Sequence, residues 1–188
     1  MHADNWTNKA KQMGYRSRAV FKLEEILNKI KLKKNLNYVL DIGSAPGSWS
    51  QYIIKNFPES KVYAIDILDM KPINGVFFYK KNIEKIDSID SINDLKGKFN
   101  LVISDIAPNL SGIDAIDIEN ISKLNKLSLK IANEYLNING MLIMKTFQNN
   151  ILKSLRKDME LSFKIVQTYK PSASKKQSGE IYLYGSRQ

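Results

Sequence analysis

The chain has no cysteine, and its one histidine, His2, lies at a terminus prone to fray. Disulfides, thiol nucleophiles and zinc knuckles are thereby excluded, and general-base chemistry falls to Lys, Asp, Glu or Tyr. No metal site is expected. No apolar run approaches the ~18 residues needed to cross a bilayer, and the first residues lack the apolar core of a secretory signal. The expected location is therefore cytoplasmic or organellar, mitochondria included, with no membrane partner; a cleaved targeting extension stays open.

Acids are scarce, 19 against 29 Lys and Arg, which leaves a net charge of +10. The excess is segregated. Residues 1–34 carry nine Lys/Arg against three acids, residues 145–188 again nine against three, and the middle eleven against thirteen. Two basic ends beside one site suit a polyanion such as RNA; the bland alternative is a set of solvated lysine-rich faces.

At 188 residues, 43% hydrophobic and 26% charged, the chain suits one domain over 1–188, expected to be monomeric, with a basic N-terminal helical segment over about 1–34. Short apolar segments alternate with amphipathic ones. The pattern predicts helices at Ser17–Ile30, 48–56, 88–95, 117–137 and 149–161. It predicts seven strands, at 38–42, 61–65, 76–79, 100–104, 140–145, 163–170 and 180–185. Leu101-Val102-Ile103 and Met141-Leu142-Ile143-Met144 are apolar on both faces, as a parallel sheet covered by helices on each side requires. The order implies an α/β, doubly wound sheet, in which ligands bind beyond the strands' carboxyl ends.

Asp41-Ile42-Gly43-Ser44-Ala45-Pro46-Gly47-Ser48-Trp49-Ser50 forms a strand-to-helix turn. Gly43 and Gly47 permit tight bending and close approach to a ligand, beside the unpaired N–H groups of a helix start. The spacing is Gly-x-x-Pro-Gly, and Pro46 removes an N–H that would help cradle a pyrophosphate. A cofactor without phosphates fits better, in a layout similar to that of S-adenosylmethionine (SAM) enzymes. Asp66 ends the next strand, where a carboxylate accepts both hydroxyls of a ribose. A tight turn with solvated acids is the plainer alternative.

Asp41, Asp66, Asp105 and Lys145 all fall at or just past strand ends and so should share one rim. Asp105 opens a Pro-constrained turn, Asp105-Ile106-Ala107-Pro108-Asn109. At the end of so apolar a strand, desolvation and any neighbouring cation disfavour a charged amine, which suits Lys145 to act as a base. The segment 171–179 reads as a polar, basic, substrate-facing loop, or simply a solvated hairpin.

Five separated segments, in order, resemble one family. They are Gly14-Tyr15-Arg16-Ser17-Arg18-Ala19-Val20-Phe21-Lys22-Leu23, the Gly43-x-x-Pro46-Gly47-x-Trp49 turn, Ser104-Asp105-Ile106-Ala107-Pro108-Asn109-Leu110-Ser111-Gly112, Lys145-Thr146-Phe147 and Ser178-x-Glu180-x-Tyr182. Together they resemble the FtsJ/RrmJ family of SAM-dependent RNA 2′-O-ribose methyltransferases. The resemblance implies a Rossmann-like methyltransferase fold with the last strand antiparallel. It also implies a catalytic tetrad of Lys22, Asp105, Lys145 and Glu180, with Lys145 as base, Lys22 and Glu180 orienting it, and Asp105 near the methyl donor. For SAM it implies Gly47 and Trp49 on the methionine side, Asp66 at the ribose and Asn82 at the adenine, with Asp41, Gly43, Pro46 and Asp105 completing the site. The family usually has Asp where this chain has Asn82, so somewhat weaker cofactor binding is expected. Arg16 and Arg18 suit RNA phosphates, as do Lys175 and Lys176, unless they are merely solvated. Ribosomal RNA, or a large ribosomal subunit, is the implied substrate. Transfer RNA, an mRNA cap and a non-catalytic role in ribosome assembly are the alternatives.

Overall fold

The computed structural model describes residues 5–32, 35–109, 111–175 and 178–188. The expectations placed on His2 and Lys176 lie outside them. In chain order the elements are α1 (Asn5–Gln12), α2 (Val20–Lys29), β1 (Tyr38–Ile42), α3 (Ser48–Asn56), β2 (Lys61–Asp66), β3 (Val76–Lys80), a 3₁₀ segment (Ile83–Ser88), α4 (Asp90–Asn93), β4 (Phe99–Ser104), α5 (Asp114–Tyr135), β5 (Leu136–Phe147), α6 (Leu152–Glu160), β6 (Ile165–Tyr169) and β7 (Glu180–Ser186).

The seven strands form one sheet in the order β3-β2-β1-β4-β5-β7-β6. All neighbours pair in parallel except β7, which runs antiparallel to both β5 and β6. Alternating side chains feed opposite layers. Val39, Val62, Leu101, Ile103 and Ile143 pack under α2 and α3, whereas Leu40, Ile42, Ile65, Val102, Leu142 and Met144 pack under α5 and α6. Two-sided burial is why these strands read as continuous apolar runs. Among the described residues no helix is long and apolar enough to cross a membrane.

Strand order reverses between β1 and β4, whose ends align with Ile42 opposite Ser104. The crevice beyond that reversal is the ligand position of such sheets, and Gly43 and Asp105 open directly into it.

Several helix bounds differ from expectation. The segment before Val20 is not α-helical, and α2 begins there instead of at Ser17. Of the helix predicted over 88–95 only the four-residue α4 forms, and before it comes an unpredicted 3₁₀ segment, capped by the Asn82 side chain accepting from Glu84 N–H. The helix predicted over 117–137 starts three residues earlier, because the Asp117 carboxylate accepts from the N–H groups of Ser111 and Gly112 and folds the entry loop against its first turn.

Candidate active site

The turn after β1 is held open by two glycines. Gly43 has φ +71° and its missing Cβ would sit 2.8 Å from Ile106 Cβ, so the loops after β1 and β4 touch there. Gly47 has φ +106°, and a Cβ would press on Met70, Ile73 and Arg16. Arg16 departs from the phosphate-facing position expected of it. Its Nη1 donates to Pro46 O at 2.8 Å and Lys71 O at 2.7 Å, and its Nη2 to Pro72 O at 2.9 Å. The guanidinium thus clamps the cofactor turn to the loop after β2. Arg18 is half-buried and Lys175 exposed.

Beside this turn lies a cleft of about 240 Å³ lined by Gly43, Asp66, Ile67, Asn82, Ile83, Ile106 and Pro108, with Leu124 and Leu127 of α5 at its base. Asp66 Oδ2 accepts from Ala45 N–H and Oδ1 from Leu68 N–H, both at 2.8 Å. Each oxygen keeps a lone pair for a ribose hydroxyl. Asn82 is engaged more fully: Oδ1 accepts from Glu84 N–H at 3.0 Å and Nδ2 donates to Glu84 Oε2 at 3.2 Å.

A second, smaller cavity shares Gly43 and is lined by Ser17, Asp41, Ser44, Ser48, Trp49 and Asp105, among others. The Trp49 indole N–H donates to Ala19 O at 2.7 Å, fixing the ring as a wall against Tyr182, 5.8 Å away. Two buried polar atoms here, Asp41 Oδ1 and Ser44 Oγ, have no hydrogen-bond partner among the described residues. Burial pushes the Asp41 carboxyl up to about 7, the Asp105 and Asp66 charges add to the rise, and the Ser50 hydroxyl opposes it.

SAM fits this pair of cavities. It carries an ammonium and a sulfonium, and three carboxylates, Asp41, Asp66 and Asp105, surround the crevice with one buried acceptor left over. The cleft's apolar walls match an adenine. Among the described residues no group of acids and histidines could hold a metal ion.

The four residues expected to form the tetrad meet at the strand ends. Lys22, from α2, reaches both oxygens of Glu180, at 2.7 and 2.9 Å. Lys145, from β5, lies 3.1 Å from Asp105 Oδ1 and donates to the Asp105 carbonyl. All four side chains are at least three-quarters buried, with Asp105 the most exposed at 21%. Burial pushes Glu180 up, but the Lys22 bond and charge, helped by Ser174 and by the Lys145 charge, bring it below its ordinary value.

Tyr182 joins the two ion pairs, a role absent from the sequence-based expectation. Its hydroxyl donates to Asp105 Oδ1 at 2.7 Å, and Lys22 Nζ lies 5.7 Å from its ring centre. Burial first, then the Asp105 and Glu180 charges, hold that phenol protonated well above its ordinary range. The signal was present: Glu180 and Tyr182, two apart on a strand, must share a face.

Residues 15–188 match the family model of the FtsJ-like methyltransferases. A ribosomal RNA large subunit methyltransferase E from Vesicomyosocius okutanii is 40% identical over 187 residues, covering 98% of this chain and 89% of that protein. Its namesake from Hydrogenovibrio crunogenus is 41% identical over 183 residues, 96% of this chain and 89% of that protein. A crystal structure of a ribosomal RNA methyltransferase from Plasmodium falciparum superposes with a TM-score of 0.79 at 31% identity, over 92% of this chain and 97% of that one. With the Gly-x-x-Pro-Gly turn, the carboxylate-lined crevice and the two ion pairs at the strand ends, these matches over nearly the whole length make the chain a member of the FtsJ-like methyltransferase family.

Proposed function

We propose that the protein methylates a ribose 2′-hydroxyl of large-subunit ribosomal RNA, using SAM as donor and Lys145 as base. One observation carries this reading: the Lys145–Asp105 and Lys22–Glu180 pairs, joined by Tyr182, stand at the mouth of the crevice that suits the cofactor. Bound SAM supplies an electrophilic methyl group. Asp66 would hold its ribose, Asn82 its adenine edge, and Asp41 its ammonium.

Lys145, as the neutral amine, would take the 2′-hydroxyl proton at Nζ and leave the ribose oxygen as nucleophile for the methyl group that bound SAM would supply, with the S–CH₃ electron pair returning to sulfur to leave a neutral thioether. Asp105 holds that amine through both its carboxylate and its carbonyl, so Nζ points at one place. Lys22 and Glu180 border the ribose and keep the substrate side of Lys145 polar. The basic ends of the chain, Arg18 and Lys175 among them, would give the RNA phosphates their counter-charge, and binding should weaken steeply with salt.

The test is to map ribose methylation across cellular RNAs with and without the protein, then to incubate unmethylated large subunits, transfer RNA and capped mRNA with labelled SAM. A 2′-O-methyl mark restored on large-subunit RNA alone is expected. Product on transfer RNA or cap ribose reassigns the substrate, and product on none rejects the enzyme reading in favour of an assembly role.

Asn82 yields a second expected result. Because its carbonyl already caps the 3₁₀ segment, Asn82→Asp, which keeps that cap and exchanges the Nδ2 bond to Glu84 for an added charge, should tighten SAM binding about three- to tenfold by calorimetry. An unchanged Kd would take this residue out of the adenine contact.

A further inference from the structure

The β6–β7 connection, which reads in sequence as a polar loop, is anchored instead of solvated along its first half. Ala173 is 1% exposed and Ser174 8%. Ser174 N–H donates to Pro171 O at 3.0 Å, closing a turn, and Ser172 N–H donates to Glu25 Oε2 at 2.7 Å. Glu25 and Lys22 are three apart on α2 and share a face, so one helix grips both the loop and the carboxylate that follows it. From this anchored turn Ser174 Oγ donates to Glu180 Oε1 at 2.8 Å.

Lys22 alone leaves Glu180 free to turn. A lysine ammonium is a point charge on a flexible stem, and it can follow a rotating carboxylate without losing the pair. A hydroxyl fixed by its own backbone cannot follow. It selects one rotation of the carboxylate, hence one position for Lys22 Nζ at the ribose side of the site. Ser172 and Lys175, on either side of Ser174, are exposed, whereas Ser174 is turned inward.

We propose that Ser174 is a positioning residue for the reaction, holding the Glu180 carboxylate, and through it Lys22, in the orientation that receives the ribose. This rests on the tetrad reading above, and the experiment separates the two. Ser174→Ala, Glu180→Gln and the double variant are compared for kcat, KM, SAM affinity and melting temperature. Ser174→Ala should lower kcat about tenfold with both KM values within about twofold and melting unchanged, the size expected for a lost hydrogen bond to a charged group. The double variant should be no slower than Glu180→Gln, because the hydroxyl then has no carboxylate to orient.

Full kcat in Ser174→Ala, losses that multiply in the double variant, or a fall in melting point and SAM affinity alongside kcat would each overturn the role of Ser174 while leaving that of Glu180. Full kcat in Glu180→Gln would overturn the tetrad reading itself, and the positioning role with it.

Discussion

Lys145→Ala is expected to lower kcat for ribose methylation by about 10²–10⁴-fold, the range of a lost general base, with SAM affinity within about twofold of the parent. The two effects separate because of where the side chain sits. Lys145 contacts Asp105 and faces the substrate side of the crevice, whereas the residues lining the two cavities do not include it. Removing the amine leaves Asp105 still bonded to the Tyr182 hydroxyl, so the carboxylate is not stranded and the fold should hold. Lys145→Arg sharpens the test. A guanidinium would keep the ion pair with Asp105 but stays protonated, so it can hold the geometry and cannot accept a proton. If the role were purely electrostatic, Lys145→Arg would retain most of kcat; the base reading requires it to be nearly as slow as Lys145→Ala. The measurement is single-turnover methyl transfer to unmethylated large subunits, with calorimetric SAM binding on the same preparations.

Much of this site could be read from the chain, for reasons that differ by residue. Asp41, Asp66, Asp105 and Lys145 share one rim because each stands at or near the end of an apolar strand, and parallel strands deliver their ends to the same edge. Lys22 and Glu180 had no such local signal. They lie 158 residues apart, and only the order and spacing of family motifs brought them together. Arg16 shows the limit of that route: a motif fixes the residue but not whether its donors face a phosphate or, as here, three carbonyls. α1 falls within the basic helical segment expected over about 1–34, but its bounds had no periodic signal: it is polar along most of its length, with Ala10 its one buried residue, and Trp6 meets Phe21 of α2 only through tertiary packing. The 3₁₀ segment Ile83–Ser88, just before the helix expected over 88–95, escapes the sequence pattern for another reason: Ile83, Ile86, Ile89 and Ile92 are all buried at a spacing of three, the 3₁₀ period, and only Asp90–Asn93 of this stretch is α-helical.

Asp41→Asn should stabilise the fold at pH 8 and weaken SAM binding at the same pH. Burial, with the Asp105 and Asp66 charges, pushes the Asp41 carboxyl up to about 7, against roughly 3.9 for an exposed aspartate. The folded state therefore holds this proton more tightly than the unfolded chain. Its contribution to stability is complete below pH ~4, falls as pH rises through about 7, and is lost above that. An asparagine carries no charge to bury, and its carbonyl can still accept from Ser50. A gain of about 2 kcal/mol at pH 8 corresponds to a melting midpoint raised by roughly 4–8 °C in a chain of this size, shrinking toward zero at pH 4. The cofactor reverses the preference. An ammonium at the unpartnered Oδ1 favours the ionised carboxylate, so SAM binding should release protons between pH 6 and 7 and tighten as pH rises. With its carbonyl on Ser50, asparagine places an NH₂ there that repels the ammonium, so a loss of about tenfold or more in affinity at pH 8 is expected, with the proton release abolished. Calorimetry in two buffers of different ionisation enthalpy reads both quantities. Unchanged SAM affinity in Asp41→Asn would place the ammonium elsewhere, and a melting gain independent of pH would mean that the buried carboxyl is not the titrating group.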